Sequence, residues 1–121
     1  MRWVYLLTAV ILLHAPSAIV AGEWASIPGA FQTANSWLRL GLVEQLVYVT
    51  GIIDGFTFAS ALEGDRSSLN WVPSCVTNME AGQLRLMVRK EVGAKPAEWH
   101  TPMQLFVYRA LLHGCPNGPK E

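Results

Sequence analysis

The chain carries two cysteines, Cys75 and Cys115, and three histidines, His14, His100 and His113. Thiol and imidazole are the side chains from which metal sites and nucleophile–base pairs are most readily built. Two cysteines without a CxxC and without a histidine cluster make a poor zinc site. A nucleophile and its base must meet within hydrogen-bond reach, and no spacing here specifies such a pair. His100 precedes an expected helix cap, and His113 falls in an expected last helical turn, where its charge suits the helix dipole. The six acidic residues from Glu63 onward are scattered without metal-ligand spacing. The expectation is no enzyme, no cofactor and no metal. The cysteines are then a free thiol pair, a metal site or a structural disulfide, and the compartment and the surrounding elements must decide.

The first residues address the compartment. Arg2 is the only charge before Glu23, and Trp3 to Leu13 is apolar apart from Thr8. His14, Pro16 and Ser17 break the run, and Ala18, Ala21 and Gly22 follow. A charged start, a short apolar stretch and a small-residue end predict a secretory signal peptide over residues 1–22, cleaved near Ala21 or Gly22. A membrane anchor is the competing reading, but a spanning helix needs about 20 apolar residues. This stretch reaches that length only by including its polar breakers. No later segment is expected to span a bilayer, so the predicted location is periplasmic or secreted.

About one hundred residues remain, enough for a single domain with one modest core. With Arg2 set aside, eight basic residues face nine acidic ones, a formal net charge of −1. That balance argues against a nucleic-acid binder. Arg85, Arg89, Lys90 and Lys95 cluster, but near the end of a predicted helix, where positive charge complements the dipole. No stacked-aromatic pattern accompanies them.

Helical periodicity organises the rest. Residues 23–32, with Pro28 and Gly29, form an irregular lead-in, and the domain runs over 33–116 with a tail at 117–121. Thr33 to Leu40 predicts a short helix stopped by Gly41. Leu42 to Leu62 predicts a long one, with Leu42, Leu46, Val49, Ile53 and Phe56 drawing an apolar stripe. That stripe serves either a core or a homodimer. Glu63 to Ser74 contains Gly64, Asp65, Ser67, Ser68, Asn70 and Pro73, the composition of a loop.

Between the cysteines the pattern is cap, amphipathic run, turn, cap, amphipathic run. Thr77 and Glu80 have capping-box spacing. Ala81, Leu84, Met87, Val88 and Val92 follow at helical intervals, and Gly93 offers a left-handed stop. Thr101, with Pro102 and Gln104, predicts a second capped helix. Its apolar face is Met103, Phe106, Val107, Ala110 and Leu111, and Gly114 stops it. Two such helices joined by a short connection are expected to run antiparallel, which brings Cys75 beside Cys115. In an oxidising compartment a disulfide is then the favoured state. The expected fold is all-α: a small bundle of about four helices with a disulfide-stapled C-terminal antiparallel hairpin.

The stretch Tyr48-Val49-Thr50-Gly51-Ile52-Ile53-Asp54-Gly55 resembles the Tyr-x-x-Gly-x-x-Asp signature of the Rap/Tai family of type VI secretion amidase immunity proteins. Cys75, Gln83-Leu84, Val88, Pro96, Ala110-Leu111 and Cys115 follow in that family's order, so the resemblance covers roughly Trp37 to Pro116. It implies a periplasmic helical protein that binds and blocks a peptidoglycan-cleaving amidase. The signature residues also have structural readings. Gly51 and Gly55 suggest a helix that another helix approaches closely. Tyr48 and Asp54 are read first as satisfied polar groups near a core, and second as partner contacts.

Binding is therefore the expected function, with a protein partner and no nucleic acid. Loops on a rigid scaffold commonly bind, and Trp and Arg are enriched at binding hot spots. Asp65, Arg66, Asn70 and Trp71 are accordingly the candidate contacts. Trp71 has a competing role as a cover for the core, which is the favoured reading, and Trp99 faces the same choice. The alternative function is a periplasmic stress or housekeeping protein, such as an acid-activated chaperone.

Overall fold

The computed structural model describes Gln32 to Pro119. The expected signal peptide, nearly all of the lead-in and the last two residues lie outside the described residues. Five α-helices make up the described domain: α1 (Ala34–Leu38), α2 (Leu42–Glu63), α3 (Val72–Val76), α4 (Ala81–Ala94) and α5 (Met103–Gly114). Short 3₁₀ turns at Gly64–Arg66 and Pro96–Glu98 punctuate them. The fold is all-α, with one helix more than expected.

α1 begins with a reciprocal cap. The Ser36 amide donates to the Thr33 hydroxyl and the Thr33 amide to the Ser36 hydroxyl, at 3.3 and 2.9 Å, which satisfies two otherwise orphaned donors. The Met103 amide donates to the Gln32 carbonyl (2.7 Å) and the Asn35 amide to the Trp99 carbonyl (3.0 Å). The entry of the chain is thus tied to the start of α5, and Trp37 is fully buried. Gly41 does not stop α1, which ends at Leu38; it is the N-cap of α2, its amide donating to the Glu44 carboxylate at 2.6 Å. α2 ends at Gly64, whose φ of +59° is the only positive value among the described residues. A residue without Cβ is what that conformation requires.

The apolar stripe of α2 holds in its middle and fails at its start. Val49 and Ile53 are buried, Leu46 and Phe56 are half-buried, and Leu42 is exposed. The core joins that middle to Trp71 and Val72, to Leu84, Val88 and Val92 of α4, and to Met103, Phe106, Val107, Ala110 and Leu111 of α5. All five residues expected on the inner face of α5 are in it. α4 packs against α5, and α2 packs against both.

Four expectations about helix boundaries and caps are corrected. The segment Glu63–Ser74 is not one loop, because Val72–Val76 is helical and Cys75 belongs to α3 rather than to the start of α4. Thr77 is therefore still in helical backbone, whereas an N-cap is extended. Its hydroxyl donates back to the Pro73 carbonyl (2.6 Å), and α4 starts from Glu80 with no side-chain cap. Gly93 lies inside α4, which is ended instead by Lys95 in non-helical backbone before Pro96, as the steric demand of proline on its predecessor dictates. Thr101 donates to the Glu98 carbonyl (2.8 Å) in the preceding turn, so Pro102 takes the N-cap position of α5 and the expected box with Gln104 does not form.

Cys75 and Cys115 form a disulfide with their Cα atoms 5.7 Å apart. It ties α3 to the end of α5. Closing a loop of this length is worth about 4 kcal/mol through the entropy removed from the unfolded chain.

Candidate interaction surface

All the packed helices lie on one side of α2. At about 100° per residue, Val49, Ile53 and Ser60 form its buried face, and Val43, Val47, Gly51, Asp54, Phe58 and Leu62 line up on the far side. Val43, Val47, Phe58 and Leu62 are 68%, 65%, 65% and 71% exposed. The helix is apolar around most of its circumference, which a helix at the edge of a soluble domain ordinarily is not. The stretch Leu42–Arg66 is long and apolar enough to cross a membrane by length and composition. This corrects the expectation that no segment beyond the signal reaches that threshold, although the Val49–Ile53 face of the same helix is packed in the core.

The signature residues divide across this helix. Tyr48 is half-buried, and its hydroxyl accepts from the Gln32 amide at 3.2 Å, so it anchors the incoming chain. Gly51, Asp54 and Gly55 are exposed. A Cβ placed on either glycine would meet nothing within 4 Å, so no described helix makes the close approach expected there. The Asp54 carboxylate enters none of the side-chain hydrogen bonds or ion pairs found among the described residues, which leaves its favoured structural reading without support.

The turn after α2 carries the other candidates. Asp65, Arg66 and Asn70 are exposed. Trp71 is not: it is 8% exposed, its indole N–H donates to the Ser68 carbonyl (3.0 Å), and its ring meets Tyr108 edge-on. Tyr108 in turn meets Phe56 edge-on. Trp71 is a core residue, so the exposed contact set shrinks to Asp65, Arg66 and Asn70. Trp99 is half-buried, with its indole N–H donating to the Val92 carbonyl at 2.7 Å.

Two polar groups escaped the sequence reading. Gln45 is buried; its amide donates to the Trp37 and Leu40 carbonyls (both 3.1 Å) and its oxygen accepts from Arg85 Nε (3.0 Å). It closes the end of α1, and the only sequence trace is a polar residue set among Leu and Val. Glu91, 8% exposed, holds His113 Nδ1 at 2.9 Å through one carboxylate oxygen, while the other has no partner among the described residues. The pair sits beside a cleft of about 320 Å³ lined also by Met87, Lys90, Ala94, Ala110 and Gly114. The unpartnered oxygen is sealed from solvent, so the cleft does not present it to a ligand.

On the α4–α5 connection, Arg109 pairs with Glu98, and Lys95 lies 3.8 Å from the same carboxylate. The Arg109 hydrogen bond, aided by the charges of Arg109, Lys95 and His100, holds the Glu98 carboxyl below its ordinary range, against a smaller opposing effect of burial. Among the described residues no three His, Cys, Asp or Glu side chains converge as a metal site would need. No protein family, curated protein or solved structure gives a significant match to this chain.

Proposed function

We propose that this chain is an exported helical protein-binding domain that acts as the Rap/Tai resemblance implies, by engaging and inhibiting a peptidoglycan amidase. The observation that carries this reading is the exposed face of α2, where Gly51, Asp54 and Gly55 of the signature lie among Val43, Val47, Phe58 and Leu62. Contiguous apolar surface of this kind marks an interaction site. The adjoining turn supplies Asp65, Arg66 and Asn70, polar groups of the sort that orient a partner and enter a cleft. Cys75–Cys115 ties α3, at the far end of that turn, to the end of α5, and the α4–α5 pair, read as an antiparallel hairpin, is the scaffold.

The reading is tested by mixing the oxidised protein with purified cell-wall amidases of the secreted effector class and following peptidoglycan cleavage. Inhibition by the native protein is expected. The triple variant Asp65→Ala, Arg66→Ala, Asn70→Ala is expected to lose it while keeping its helical circular dichroism. Unchanged inhibition by the triple variant removes the turn from the contact. If no amidase is inhibited and the protein instead protects client proteins from aggregation at low pH, the acid-activated chaperone takes its place.

A further inference from the structure

One residue on the core side of α4 is a carboxylate. Leu84, Val88 and Val92 are the other buried residues of that helix, and Glu91 lies among them at 8% exposure. One of its oxygens holds His113 Nδ1 at 2.9 Å, and the other is sealed without a partner. A buried acceptor left unsatisfied is destabilising, and an apolar side chain of similar volume would avoid that penalty. Joining α4 to α5 does not require the pair, because the two helices already share the apolar core. What the pair does supply is a fixed imidazole at the cleft between them. His113 is 56% exposed, although the group that holds it is buried. We propose that this cleft binds the carboxylate of a small ligand with a short apolar body, gripped by Lys90 and His113. The inference uses neither α2 nor the turn after it, and goes beyond the amidase reading.

Lys90 is exposed, lines the cleft and enters none of the ion pairs found among the described residues. His113 commits Nδ1 to Glu91, and a carboxylate only accepts, so that nitrogen carries a proton. Nε2 lies on the other edge of the ring and enters no hydrogen bond found among the described residues. In the protonated ring Nε2 donates as well, and the imidazolium then stands between Glu91 and the ligand. Glu91 is a positioning residue: it orients the ring and offsets its charge without touching what binds. Among the described residues, the charged groups facing His113 are Glu91 and Lys90 from α4 and, one turn back on α5, Arg109. Arg109 is already paired with Glu98. Lys90, Glu91 and the protonated ring leave a single positive charge, which suits a monoanion and repels an amine.

The remaining lining selects the body of the ligand. Ala94 and Ala110 leave open the space that larger side chains would fill. A Cβ on Gly114 would collide with the Met87 methyl, so the glycine lets that methyl lie against the end of α5. A thioether is flexible and polarisable, and adapts to what an irregular gap contains. At about 320 Å³ the cleft stands at the small end of ligand sites, which suits a short-chain acid.

The probe is hexanoate, titrated into the oxidised exported chain with backbone amide shifts followed by heteronuclear NMR. A dissociation constant on the order of 1 mM is expected for so small a ligand, with shifts centred on Ala94, Ala110 and His113. Binding is expected to tighten between about pH 8 and pH 6, where imidazole gains its proton. Lys90→Gln and His113→Gln, both at exposed positions, are each expected to weaken it about 10-fold, the loss of one charge-assisted hydrogen bond. Circular dichroism and the intact disulfide establish that each variant folds. An N-acetylated tripeptide ending in leucine, free or amidated at its C-terminus, identifies the source of the carboxylate. Tighter binding of the free peptide than of hexanoate assigns the cleft to a polypeptide C-terminus, and the reverse order assigns it to a free acid. Both outcomes uphold the carboxylate as the bound group. No shifts at about 20 mM hexanoate, far above the expected constant, overturn the proposal. So do shifts centred on Val47 and Phe58, equal binding of hexylamine, or an affinity unchanged by either substitution. An affinity indifferent to pH overturns the grip by His113. None of these readouts involves an amidase, so failure here and failure of the immunity reading are told apart.

Discussion

The carboxyl of Glu98 is held below its ordinary value of 4.5 chiefly by its hydrogen bond to Arg109. A carboxyl whose folded pKa lies below its unfolded one contributes stability that is complete above the unfolded value and is lost as pH falls through the folded value. Glu98→Gln is therefore expected to lower the melting temperature at pH 6 to 7. The gap to the native protein should close on titration below 4.5, where the native carboxylate takes up a proton. Both side chains are partly exposed, so screening by solvent and salt keeps the effect modest. Melting curves at several pH values and two salt concentrations check it; a gap independent of pH would place the role of Glu98 in its packing rather than its charge.

At the scale of elements, apolar spacing was the legible signal. Met103, Phe106, Val107, Ala110 and Leu111 recur at three- and four-residue steps, and that spacing survives in the structure because burial sets which way a helix turns. Caps were less legible, because a hydroxyl near a helix start has competing partners in the preceding turn. Thr77 and Thr101 both bond backward, to Pro73 and Glu98, while Thr33 caps forward onto the Ser36 amide. α3 was hidden inside a stretch of turn-forming residues, since five residues are too few to show a period and tertiary packing of Val72 and Trp71 decides them. The exposed side of α2 was hidden for the opposite reason: a helix apolar all round offers several stripes, and the choice among them depends on neighbours. Gly51 provides the test at this scale. A methyl at this position meets nothing within 4 Å in the isolated chain. Gly51→Ala is thus expected to raise the unfolding free energy by about 0.5–1 kcal/mol, read from urea denaturation. Destabilisation instead would mean that the helix there is not open.

For the molecule as a whole, a domain of this size has little stability to lose. Net unfolding free energies are commonly about 5–15 kcal/mol, and one cross-link of 40 residues' separation supplies about 4 kcal/mol of constraint on the unfolded chain. The cross-link joins α3 to the end of α5, so it also fixes the far end of the turn bearing Asp65, Arg66 and Asn70. Reduction of Cys75–Cys115 is expected to lower the urea midpoint sharply without lowering the slope of the transition, because the same core of Trp37, Phe106 and Leu111 is exposed on unfolding and the unfolded chain is no longer cross-linked.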